Sequence, residues 1–192
     1  MTRLDFLNSM KRFTEEIMKD LMLPVRAQED GEDTIYRPPA VYRMRLPDMG
    51  ATDKKAPYIL HQLVTGDDEQ KAGQRDGSMV LLRSVFCVYH PMPFDNPDEE
   101  EGMLSLVEVM ERWRIGVLRT RLLDGRYKLD LDAAPLEALY YPDNMAPYYI
   151  GEFASNWRMP EISQDTKYLV SLAGSPPKTD AEIAYERIIQ RF

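Results

Sequence analysis

Between residues 4 and 21, Leu4, Leu7, Met10, Phe13, Ile17, Met18 and Leu21 recur at intervals of three and four, with Lys11, Arg12, Glu15, Glu16 and Lys19 between them. That spacing lines the apolar side chains along one stripe and predicts an amphipathic helix, which Pro24 ends. The period then changes. Residues 34–36 and 41–46 carry Tyr and β-branched side chains around Pro38 and Pro39, a pattern that predicts an edge hairpin, and residues 49–57 are small, polar and charged and read as a loop. Residues 58–65 alternate as a strand. Residues 79–90 form the most β-rich run and are apolar on both faces, which predicts a central strand. Gly66-Asp-Asp-Glu69 and Gly73-Gln-Arg-Asp-Gly77 supply turn chemistry between these two, so they read as an antiparallel hairpin with a long charged loop.

A helix start is written at Asn96-Pro97-Asp98-Glu99, with Asn as N-cap, Pro at the first helical position and acidic residues in the first turn. Met103, Leu106, Val107, Met110, Trp113, Val117, Leu118 and Leu122 trace its stripe and carry the predicted helix to about residue 123. An Asp124-Gly125 turn leads into candidate strands at 126–131, 136–141 and 148–159. In the last of these, Tyr149, Gly151, Phe153, Ser155 and Trp157 are expected to share one face, directed at the core. Beyond Pro160 the only regular signals are an apolar patch at 168–172 and a capping box, Thr179 with Glu182, opening a short C-terminal helix. The order predicts an α+β fold: a mainly antiparallel sheet packed by a long central helix and an N-terminal one. Residues 1–160 read as one domain with its core at 58–160, and 161–192 as an extension.

Composition narrows the functions open to such a fold. The 192 residues carry 24 Lys and Arg against 32 Asp and Glu, a net charge of −8, the wrong sign for neutralising phosphates; specific nucleic-acid binding is not expected. No apolar run approaches the roughly 20 residues that cross a bilayer, so no membrane partner is expected. The single Cys87 and the lack of a basic-then-apolar leader suggest a cytoplasmic setting. One cysteine and two histidines are too few for a Cys/His zinc site, and neither a phosphate-cradling glycine loop nor a calcium-loop spacing occurs, so no metal or cofactor is expected.

Candidate chemistry is sparse, and an enzyme is not expected. His61 shares a strand face with Ile59 and Leu63 and reads as a packed histidine; Cys87 and His90, three apart on one strand, point to opposite faces. Glu29, Asp30, Glu32 and Asp33 form one acidic loop, and Asp67, Asp68 and Glu69 another. Arg112, Arg114, Arg119 and Arg121 crowd the end of the central helix. Tyr140, Tyr141 and Tyr148, beside prolines, are either lids over the core edge or contacts to another chain, where Tyr is enriched.

The run Ser78-Met-Val-Leu-Leu-Arg-Ser-Val-Phe-Cys-Val-Tyr89, the acidic helix start Asp98-Glu-Glu-Glu-Gly102 and Leu122-Leu-Asp-Gly-Arg-Tyr-Lys-Leu129 follow one another. Pro135-Leu-Glu137, Pro147-Tyr-Tyr-Ile-Gly-Glu-Phe153 and Trp157-Arg-Met-Pro160 come next. Over residues 58–160 this order resembles the tail terminator, or tail completion, proteins of bacteriophages and prophages. The resemblance implies a structural virion assembly protein: a homo-oligomeric ring, usually a homohexamer, that sits on the tail tube, stops its polymerisation and presents the docking surface for head-tail connector proteins. It implies a place in the virion tail after assembly in the host cytoplasm, with the tail tube protein and further copies of itself as partners. Under it, Arg112, Arg114, Arg119, Arg121, Tyr140, Tyr141 and Tyr148 are the expected interface residues. The two acidic loops, Glu29 to Asp33 and Asp67 to Glu69, are candidates for lining a lumen through which DNA slides. A neck or head-completion protein and a bacterial adaptor module are the alternatives.

Overall fold

A computed structural model describes residues 2–26, 35–47, 56–69, 77–90, 99–141 and 147–160. The chain divides after Glu161 into two compact units, and every described residue belongs to the first, Met1–Glu161. The acidic segment at 28–33, the helix-start signal at 96–98, the patch at 168–172 and the C-terminal helix expected from Thr179 lie outside the described residues.

Helix α1 spans Arg3–Met18 and opens on a reciprocal cap: the Thr2 hydroxyl accepts the Asp5 N–H at 3.2 Å, and the Asp5 carboxylate accepts the Thr2 N–H at 2.8 Å. Its stripe buries Phe6, Leu7, Met10 and Met18 but leaves Leu4 60% exposed. The helix stops well before Pro24, which lies inside strand β1, Leu23–Val25. Strand β2, Ile35–Arg37, pairs with β1, and β3, Ala40–Arg43, runs parallel to the next strand of the main sheet. The hairpin expected from 34–36 and 41–46 is therefore two strands of two different sheets. Pro38 and Pro39 explain the split, since each removes an N–H donor and fixes its own φ, carrying the chain across.

Strands β4, Tyr58–Glu69, and β5, Gly77–Tyr89, form the long antiparallel hairpin, with β5 central. Asp67, Asp68 and Glu69 are not a loop, as the sequence suggested, but the end of β4, where Glu69 pairs with Gly77. The register shifts between Leu63 and Thr65. That bulge at Val64 breaks the alternation, and a reading by period stops there.

Helix α2 spans Glu99–Thr120. It ends short of residue 123 because Arg121 adopts a left-handed φ of 47°, while its N–H still closes on the Val117 carbonyl at 2.9 Å. Leu122 and Leu123 then form strand β6, Leu122–Leu123. Asp124 and Gly125, at φ 51° and 65°, make the tight turn into β7, Tyr127–Leu129. Strands β8, Glu137–Tyr140, and β9, Tyr148–Met159, complete the set.

The main sheet is ordered β3-β4-β5-β9-β7-β6, with β8 on β9 as well, and every pairing except β3 with β4 is antiparallel. The class is α+β. Along β9, Tyr149, Gly151, Phe153, Ser155 and Trp157 are all buried, as the alternation requires. Trp113 of α2 lies 5.3 Å from Phe153 and 5.6 Å from Phe86, ring centre to ring centre; Phe6 of α1 lies 5.5 Å from Trp157 and 5.2 Å from Tyr127. Both helices thus cover the same sheet face.

Candidate functional site

His61 lies in the core with no exposed surface. Its Nε2 lies 2.9 Å from Thr14 Oγ1 on α1 and its Nδ1 2.9 Å from Ser84 Oγ on β5, while the Trp113 indole N–H donates to Thr14 Oγ1 at 3.2 Å. We assign the neutral ring, with Nδ1–H donating to Ser84 and the Thr14 hydroxyl donating to Nε2. Burial, and secondarily the charge of Lys11, pull its pKa down to about 3. Both ring nitrogens are engaged inside the core, so this Ser-His-Thr constellation, with all three side chains buried, joins α1, β4, β5 and α2.

Cys87 is buried as well. Burial pushes its thiol up to about 11, against a smaller opposing effect of its hydrogen bond with Tyr58, so thiolate chemistry is disfavoured at neutral pH. His90 meets not Cys87 but Glu101 of α2, Nε2 to Oε2 at 3.4 Å. Among the described residues no group of three His, Cys, Asp or Glu side chains is placed to hold a metal ion. No helix among them is long and apolar enough to cross a membrane.

The expected interface residues are mostly engaged within the chain. Arg112 donates to the Ile17 carbonyl at 2.6 Å and pairs with Asp20, clamping the end of α1; Arg114 forks onto Glu111 at 2.8–3.0 Å. Arg121 donates through Nε to the Leu118 carbonyl at 3.3 Å. Arg119 is exposed on one wall of an open groove of about 650 Å³ between the helices, with Ile17, Asp20, Arg112 and Ile115. Tyr140 packs against the core, Tyr141 lies beside Arg83, and Tyr148 sits 5.5 Å from the Tyr89 ring while its hydroxyl accepts from Arg26 at 3.3 Å. All three tyrosines are half-buried, each keeping part of its surface exposed.

What remains unspent lies at the ends of the sheet. Beyond His61 no described strand pairs with β4 on the side away from β5. Val64 is 54% exposed there, followed by exposed Thr65, Asp67 and Asp68, of which Asp68 binds Arg3 at 3.0 Å. At the opposite end Leu122 is 48% exposed among exposed Arg121, Arg126 and Lys128. Asp124 in the turn between them is taken up by Arg12, at 2.9 Å, and by Ser9. Periodicity missed this arrangement because it depends on strand order, which no local pattern encodes. No protein-family model matches the chain, and no curated protein matches it by sequence.

Proposed function

We propose that this protein is a structural assembly subunit of the tail terminator kind, closing into a ring on the end of a phage tail tube. One observation supports the reading most. The stretch that resembles that family, residues 58–160, contributes β4 to β9 and α2: a sheet covered on one face by a long helix, in which β4 beyond His61 and the outer side of β6 pair with no described strand. A part with two such ends of different character suits repeated head-to-tail joining, which is how identical subunits make rings. In this reading the work is geometric, and the chain needs no reacting group.

The test is native mass spectrometry of the purified protein over a concentration series, with negative-stain images of any oligomer. The expected result is a closed ring, a hexamer with a central hole, that caps tail tubes at one end and arrests their growth. A ring that leaves tube length unchanged would reject the terminator role and favour a neck protein. A monomer or dimer that neither associates nor binds tubes would favour an adaptor module.

A further inference from the structure

The two ends of the main sheet are level. Asp67 pairs with Met79, Met79 with Arg158, Arg158 with Lys128, and Lys128 with Leu122, so one row of cross-strand partners runs from the free edge of β4 to β6. The row above it follows the same course, from Gly66 through Val80 and Trp157 to Leu129. Within the first row the interior charge is already neutralised, since Arg158 donates to Asp130 at 2.5 Å. The charge left over sits at the extremes: Asp67 at one, and Lys128 with Arg126 and Arg121 at the other.

We infer that copies of this chain join head to tail through these ends, the β4 edge of one subunit, at Val64 and Asp67, meeting the β6–β7 end of the next, at Leu122, Arg126 and Lys128. Charge selects the arrangement. Pairing either end with itself places like charges together, which is unfavourable, whereas head-to-tail pairing sets Asp67 against Lys128 and leaves each copy with one donor end and one acceptor end. Val64 and Leu122 give each end an exposed apolar side chain to bury, and β4 offers main-chain groups that no described strand takes up. Because both ends lie on one register row, the joint carries little displacement along the strands from copy to copy. A head-to-tail joint without such a climb closes on itself, and one with it grows as a filament.

This inference rests on the ring reading for closure, but its contact stands on the charges of the sheet. It gives Asp67 a protein neighbour in place of the lumen-lining role that its charge alone suggested. The experiment compares the full chain with Asp67→Lys, Lys128→Glu and the double exchange, by sedimentation velocity and negative stain, with circular dichroism as a check on folding. Both positions are exposed, so the fold should be unaffected. Each single reversal should weaken self-association about tenfold per joint, and the double exchange should recover most of it. Rings that survive both reversals overturn this contact and leave the ring reading standing. Filaments or dimers that respond to the exchange keep the contact and overturn closure. A chain that never associates, with or without tail tubes, overturns both.

Discussion

Protonating His61 inside the core would leave Nε2 carrying a hydrogen toward a Thr14 hydroxyl that already accepts from Trp113, and would place a charge that no carboxylate among the described residues pairs with. The folded pKa, about 3, is below that of the unfolded chain, near 6.5. The neutral ring therefore contributes stability that is fully present above about pH 6.5 and is lost as pH falls toward 3. A His61→Gln variant should lose about 1–3 kcal/mol at pH 7.5, from the broken hydrogen bonds, yet show a shallower acid dependence than the parent. Urea denaturation at several pH values between 7.5 and 4 checks both; parallel slopes would mean that His61 does not set the acid sensitivity. Its burial was legible from the shared face with Ile59 and Leu63. Its partners were not, because Thr14 and Ser84 stand 47 and 23 residues away.

Packing between elements turns on close approach. A Cβ on Gly102, in the second turn of α2, would fall on the ring of Tyr149 of β9. In an exposed helix, Gly→Ala gains up to about 1 kcal/mol; here the overlap opposes a fixed aromatic ring, and overpacking typically costs about 1–3 kcal/mol. Gly102→Ala should therefore destabilise. Gly125→Ala, with open space around it but φ at 65°, should cost about 1 kcal/mol through backbone strain alone. Thermal unfolding of the two variants separates a packing cost from a conformational one, and a stabilised Gly102→Ala would contradict the contact. The strand spacing of β9, the central place of β5 and the Asp124-Gly125 turn were legible because each is a local pattern. The partnership of β1 with β2, the parallel β3 and the left-handed Arg121 were not, since adjacent prolines do not name a partner and Arg gives no signal for such a φ.

At the scale of the whole molecule, a joint made by exposed charges at the sheet ends should respond to salt while the fold does not. The apparent association constant should fall as ionic strength rises from 0.05 to about 0.5 M, over which the Debye length shrinks from about 14 to about 4 Å. The unfolding midpoint of the monomer should move little, because the core network and aromatic packing are buried. Sedimentation velocity and thermal melts across the salt series measure the two independently; association that strengthens with salt would point to an apolar joint instead. Asp67 and Arg121 stood out in the sequence but Arg126 and Lys128 did not, and Arg112 and Arg114, counted with Arg121, are occupied within the chain. Only strand order told the two sets apart.

The bulge at Val64 divides β4 into two lengths of opposite parity. Ahead of it the odd-numbered residues Ile59 and His61 face the helices; behind it the even-numbered Gly66 and Asp68 do, so that Asp68 meets Arg3 and Asp67 stands on the other face. Deleting Val64 would straighten the strand and leave both carboxylates where they are, whereas an unbulged strand of the same length, with Val64 paired to Leu81, would trade them between the two faces of the sheet. The bulging of one uncharged residue thus decides which acid holds the N-terminal helix and which is left to meet a neighbour.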